Sequence, residues 1–150
     1  MLSTGVSLAI TLVVFGFILR SQLQVRVART SLTLPAVLAL VGAVQFGQGA
    51  GREPLSDAGI ALLGASFLVL AIGLGAVRAY TVRLWRDGGK VLRQGTWVTA
   101  SLWIVGAALH AVVDAQAHSA AATYLLYLGL TLAAQRIVVG ARARRLEASA

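Results

Sequence analysis

The chain has 150 residues, of which 58% are hydrophobic and only 12% charged, with a net charge of +8. Soluble domains carry about a quarter of their residues as charges, and at a mean hydropathy of +0.82 a fold of this size has more apolar surface than it can hide from water. With no cysteine, disulfides, thiolate metal sites, cysteine nucleophiles and a dithiol relay run by this chain alone are excluded.

Five apolar segments, each near the roughly 20 residues that span a bilayer, are expected at about 3–20, 31–50, 58–80, 97–113 and 119–139. The first has no basic region ahead of it; Arg20, Arg26 and Arg29 follow it instead. A secretory signal peptide has the opposite polarity, so an uncleaved helix with its N-terminus outside is expected. The second segment opens near Pro35 and leaves through Gln45, Gly47, Gln48, Gly49 and Gly51. Pro54 breaks the following loop, and Ser56 or Asp57 is suited to cap the third segment. That segment carries Gly59, Gly64, Ala65, Ser66, Ala71, Gly73 and Gly75, small residues that let helices approach closely.

Residues 81–96 make the only sizeable polar stretch. Asp87-Gly88 suits a type I′ turn, which needs positive φ at both central positions. Val82, Leu84, Trp85, Val91 and Leu92 are good strand formers. A short basic β-hairpin over Val82–Arg93, turning at Asp87-Gly88-Gly89, is therefore expected between the third and fourth segments. A plain loop is the rival, because isolated two-stranded hairpins are marginal in water. The fourth and fifth segments are joined by a tight turn running from Asp114 to Ser119. Tyr124 and Tyr127 at one level, with Tyr80, Trp85 and Trp97 at the other, resemble the aromatic belts of membrane interfaces. The Ala- and Ser-containing end after Arg145 is expected to be frayed.

Assigning the gaps alternately to two sides places Arg20, Arg26, Arg29, Arg78, Arg83, Arg86, Lys90, Arg93, Arg136, Arg142, Arg144 and Arg145 on one side and only Arg52 on the other. This is the positive-inside pattern. The expected fold is an all-α integral membrane protein, a single five-transmembrane-helix bundle with N-terminus outside and C-terminus inside. The basic residues flank apolar segments instead of forming a patch on a soluble fold, so membrane lipids, and no nucleic acid, are the expected partners. Abundant Ala, Gly, Val, Leu and Arg beside a single lysine points to a GC-rich bacterial genome and hence to the bacterial cytoplasmic membrane.

The run R-A-Y-T-V-R-L-W-R-D-G-G-K-V-L-R-Q-G-T, Arg78 to Thr96, followed by T-A-S-L-W-I-V, Thr99 to Val105, resembles the CcdC-like family of small bacterial integral membrane proteins. A helix ending in arginines, a D-G hairpin, a second R-x-G-T and a Trp-containing helix carry the likeness, over about a fifth of the chain. The resemblance implies a multi-helix membrane bundle associated with cytochrome c biogenesis and assigns no biochemical activity. His110 stands where relatives are expected to carry arginine.

Nothing resembles a Walker loop, a G-x-S-x-G elbow, an H-E-x-x-H helix or a paired-carboxylate site, so a non-enzymatic protein without a cofactor is expected. His110, Asp114 and His118 have the i, i+4, i+8 spacing of one helix face, with imidazole and carboxylate donors fit for a metal; a chain reversal near Asp114 would break that face. Gln45, Gln48, Gln116 and Tyr124 are further candidates for the same end. Arg78, Arg83, Arg86, Lys90 and Arg93 form the strongest binding patch, for anionic lipid or a partner protein. Three functions stay open. One is a membrane accessory protein acting through the basic hairpin, alone or as a homo-oligomer. Another is a haem- or metal-binding redox accessory of cytochrome biogenesis. The last is a small oligomeric transporter, for which no polar path is visible in segments one, three or five.

Overall fold

The computed structural model describes residues 4–28, 31–50, 55–117 and 123–149, with side chains in the first helix described from Leu12 onward. Among the described residues there are five helices and one small sheet: α1 (Thr4–Leu23), β1 (Arg26–Val27), α2 (Thr33–Ala50), α3 (Asp57–Thr81), β2 (Arg83–Asp87), β3 (Lys90–Gln94), α4 (Trp97–Gln116) and α5 (Tyr124–Ala148). By length and composition α3, α4 and α5 are long and apolar enough to cross a membrane, while Leu12–Leu23 and Thr33–Gln48 are shorter apolar helices.

The radial distribution of residues is the reverse of a water-soluble bundle. Leu12, Phe17, Leu40, Leu68, Val69 and Ile104 are exposed on the outer faces, while Arg78, His110, Thr123, Thr131 and Gln135 are fully buried. Soluble folds expose their charges and bury their large apolar side chains. This bundle suits an apolar solvent, in which polar groups have to find partners inside.

Helix α5 is the hub. It makes the broadest helix contact with α2 and also packs along α3, while α1 lies against α4. The main core joins Ile18, Ala71, Trp103, Tyr127, Leu128 and Leu132, with Phe15 edge-on to Trp103 at 6.2 Å. The α2–α5 crossing depends on two glycines. A Cβ at Gly42 would lie 2.1 Å from the Leu126 nitrogen, and one at Gly129 would lie 2.4 Å from the Ala39 nitrogen. Of the small residues expected to serve α3, Gly75 is tight against Thr131, whereas Gly64 has nothing within 4 Å.

Helix α3 starts where Ser56 accepts a hydrogen bond from the Gly59 N–H at 3.1 Å. Its middle, Phe67–Gly73, is π-helical. In an α-helix twelve residues leave a remainder of about a third of a turn, which would set Ser66 and Arg78 on different faces. A π turn takes up about one residue more than an α turn, which removes most of that offset. Both side chains are buried in the bundle.

The expected hairpin is present and is part of a larger sheet. Strands run in the order β1-β3-β2, all antiparallel, with Arg83 opposite Gln94, Trp85 opposite Leu92 and Asp87 opposite Lys90. The turn is Gly88-Gly89, with φ of 54° and 74°, one residue beyond the Asp87-Gly88 pair; Asp87 instead closes the ladder with Lys90. Two residues of β1 pair with β3, Arg26 opposite Arg93 and Val27 opposite Leu92. Support for the hairpin comes from this third strand and from the contact of Leu84 with Ala79, Val82 and Val139. Left-handed backbone costs an ordinary residue about 1–2 kcal/mol. Gly88→Ala combined with Gly89→Ala is therefore expected to lower thermal stability modestly, with hydrogen exchange accelerating first in β2 and β3.

A threonine cluster and an arginine fasten the sheet to the helices. Thr96 and Thr99 form a reciprocal capping box at the start of α4, and Thr99 and Thr81 hydroxyls meet at 2.7 Å. Arg142 donates to the Ala79 and Val82 carbonyls at 2.5 and 3.1 Å, satisfying orphan acceptors at the end of α3. Helix α5 continues to Ala148, through the tail expected to fray, and Arg86 reaches the Glu147 carbonyl at 3.2 Å.

Candidate functional site

Two polar assemblies stand out, one at each end of the bundle, with a buried column between them. At the end away from the sheet, α4 runs to Gln116, past the expected end at 113. His110 and Asp114 therefore stay on one helical face, with Nε2 and Oδ2 3.7 Å apart. Ser66 of α3 lies 3.0 Å from His110 Nδ1, and Thr123, just ahead of α5, lies 3.3 Å from Nε2. Thr123 also donates to Asp114 Oδ1 through a short contact. One proton arrangement uses every donor. Ser66 gives its hydroxyl proton to Nδ1, Nε2–H donates to the Thr123 oxygen, and Thr123 donates to the carboxylate. Thr123 makes no side-chain cap to its own helix; its hydroxyl serves Asp114.

Both ring nitrogens of His110 are thus engaged within the protein, and its ring stacks on Tyr127 at 4.2 Å with 12° between planes. Among the described residues no group of three His, Cys, Asp or Glu side chains is placed to hold a metal. His118 lies outside the described residues. Tyr124 does join this end, its ring 5.9 Å from His110. Gln45 and Gln48 are exposed on α2, and Gln116 is exposed on α4. Tyr127, expected in an interfacial belt, is instead fully buried, while Tyr80 and Trp97 are exposed.

The column follows α5. Thr123, Tyr127, Thr131 and Gln135 recur every fourth residue, hence along one face, and all four are fully buried. Gln135 donates to the Gln22 side chain of α1 at 3.1 Å, and the Gln22 carbonyl accepts from Gly95 N–H at 2.8 Å. Near that end a cleft of about 450 Å³ opens between Leu23, Arg83, Gln94, Gly95, Thr96 and Trp97. Buried polar side chains thus recur on α1, α3 and α5, among them Gln22, Ser66, Arg78, Thr131 and Gln135. Threonine, tyrosine and glutamine among leucines leave a segment apolar on average, and the four-residue repeat is the signal that would have disclosed them.

Arg78 is in the middle of this column. It belongs to the basic run of the sequence, yet the structure separates it from Arg83, Arg86 and Lys90, which are exposed, and from half-buried Arg93. Its guanidinium carbon sits 4.0 Å above the Trp103 ring. Among the described residues Trp103 Nε1 and Thr131 Oγ1 have no hydrogen-bond partner, and no carboxylate is ion-paired with Arg78; the Tyr127 phenol lies beside the Arg78 guanidinium in a contact short of ideal hydrogen-bond geometry. A cation over an aromatic face gains about 0.5–2 kcal/mol, whereas burying an ion costs several kcal/mol. Arginine does not escape that cost by losing its proton.

At the sheet end three arginines meet. Arg26 and Arg93 are directly opposed on β1 and β3, so their side chains leave the same sheet face. Arg136 of α5 adds its charge to theirs and donates to the Ser31 carbonyl. Burial holds the Arg93 guanidinium below its ordinary pKa, and the charges of Arg136 and Arg26 act in the same direction. Among the described residues none of the three is ion-paired with a carboxylate. Arg26 and Arg136 were not in the expected patch, because strand β1 and the inward course of α5 bring them there. Comparison with known proteins gave no match to a family model, a curated protein or a solved structure.

Proposed function

We propose that the chain is a non-enzymatic, multi-pass accessory protein of the bacterial cytoplasmic membrane that holds an anionic phospholipid headgroup at its basic sheet. The observation that carries this reading is the meeting of Arg26, Arg93 and Arg136 from three separate elements, with no carboxylate among the described residues paired to them. Like charges are costly to gather, and a phosphate among them reverses the sign of that energy. Guanidinium groups bind phosphate bidentately, which an ammonium does not match. Five crossings with the N-terminus outside and the sheet inside follow from the placement of the basic residues. The resemblance of Arg78–Thr96 and Thr99–Val105 to the CcdC-like family supports the same location. Exposed Trp97 beside the Arg83 cleft suits the interfacial level.

Basic residues near an anionic leaflet contribute about 1 kcal/mol each, so three together correspond to roughly a hundredfold in affinity. The test replaces Arg26, Arg93 and Arg136 with glutamine, leaving Arg20, Arg83, Arg86, Arg144 and Arg145 to hold orientation. Native mass spectrometry in mild detergent should show phosphatidylglycerol or cardiolipin retained by the parent protein and lost from the variant, with retention falling as salt rises. Equal retention by both proteins would refute the headgroup site. Capture of a protein by the parent but not by the variant, with lipid retention unchanged, would favour a partner protein instead.

The buried column gives a specific reason to keep a second reading, a small oligomeric transporter. Its test is solute-driven uptake in vesicles, which a lipid-binding accessory would not show.

A further inference from the structure

We infer that Arg78 is the centre of a buried site for a small inorganic anion of halide size, formed where α3, α4 and α5 meet. This goes beyond the headgroup site, from which it is spatially separate and which uses none of the same residues. The groups that converge here are donors. Arg78 brings a full charge on three nitrogens, Trp103 an indole N–H and Tyr127 a phenol O–H; among the described residues no carboxylate pairs with Arg78, and the Tyr127 hydroxyl offers its guanidinium a contact short of ideal geometry. Gly106 lets Arg78 and Tyr127 come together, and Trp103 lies under the guanidinium. A Cβ built there would lie 2.6 Å from Tyr127 Oη and 3.2 Å from Arg78 Nη2, so both groups border the one spot on α4 that lacks a side chain.

Among the described residues no carboxylate is ion-paired with Arg78. Asp114 is committed to Thr123 and faces His110. The Trp103 face covers only part of the cost of a buried cation. An ionisable group inside a membrane bundle marks a functional site by default, and here the charge and donor set select an anion. Size follows from enclosure. Arg78, Trp103 and Tyr127 are all fully shielded from solvent, which excludes a phospholipid headgroup or a bulky carboxylate. The π-helical stretch Phe67–Gly73 provides the positioning, since it turns Arg78 inward, and π segments recur at functional sites.

The test uses the 150-residue chain in detergent with Trp85 and Trp97 replaced by phenylalanine, leaving Trp103 as its single tryptophan. Sodium bromide, a small anion that quenches indole emission, is titrated against sodium gluconate at constant ionic strength. Saturable quenching is expected, with a higher melting temperature in bromide than in gluconate. Arg78→Gln should raise the half-saturation concentration about tenfold or more, the effect of losing a charged donor, while Arg78→Lys should retain saturable binding. Should Arg78→Gln fail to fold, Gly106→Ala, which places a methyl against Tyr127 Oη and Arg78 Nη2, should produce the same loss. Quenching linear in bromide, together with equal melting temperatures in the two salts, overturns the proposal without any variant. Saturable quenching that persists unchanged in both Arg78→Gln and Gly106→Ala overturns it as well, by placing the anion elsewhere.

Discussion

Gly42→Leu and Gly129→Leu are each expected to leave little folded protein. A Cβ at position 42 falls 2.1 Å from the Leu126 nitrogen and 2.6 Å from its Cα, whereas non-bonded carbons settle at about 3.5–4.0 Å. These neighbours are backbone atoms, which have no rotamer to change, so the helices themselves must separate. Overpacking a core typically costs about 1–3 kcal/mol. Here the whole α2–α5 contact, the broadest in the bundle, is at stake, so the cost should exceed that range. Even Gly→Ala should lower the melting temperature at either site. Gly64→Leu is the control, since Gly64 has nothing within 4 Å and should tolerate the change. Gel filtration and thermal melting in detergent provide the readout. Wild-type stability in Gly42→Leu would mean that α2 and α5 do not cross at these glycines.

Thr123→Val should be the most damaging change at the opposite end. Valine keeps the shape and removes the hydroxyl that donates to Asp114 and lies 3.3 Å from His110 Nε2. The loss reaches two buried groups at once, and removing one partner of a buried hydrogen bond costs about 1–3 kcal/mol. Thr123→Ser retains the hydroxyl and should retain most of the stability. His110→Phe in the Thr123→Val background should recover part of the loss, because replacing both partners by apolar groups is far less costly than replacing one. Denaturant titration of Thr123→Val, His110→Phe and the double variant measures this coupling. Additive effects of His110→Phe and Thr123→Val would show that the two side chains do not interact.

Much of the architecture was legible in the sequence because apolar length and charge position are one-dimensional signals. The apolar segments correspond to the helices, and a glycine pair among strand formers produced the hairpin. The glycines of the α2–α5 crossing were less legible. Gly42 and Gly129 look like any small residue in an apolar run, and only the partner's backbone makes them indispensable. The basic patch was legible as a count but not as a place. Arg78 follows the periodicity of α3 inward once its π stretch is included, and hydropathy carries no trace of that extra residue per turn. Arg26 reached the cluster through a two-residue strand too short for any alternation pattern, and Arg136 through the facing of α5. His110, Asp114 and His118 share a helical spacing that a chain reversal near Asp114 would break; α4 continues to Gln116, which keeps His110 and Asp114 on one face with Ser66 and Thr123 at the ring nitrogens, while His118 lies outside the described residues.

Strand β1 has a bearing on how the molecule is made. Its partner in the ladder, β3, lies beyond two intervening helices and a hairpin strand, so it leaves the ribosome only after well over half the chain. Until then Arg26 and Val27 have no strand to bind, and their backbone groups depend on water. Pairing of such sequence-distant segments is slow, because a long loop must close before any contact forms. The three-stranded sheet can therefore close only once the chain through β3 has been made. It acts as a latch that ties the end of α1 to the hairpin before α4 and α5 follow, and a chain stalled before β3 would leave that edge open.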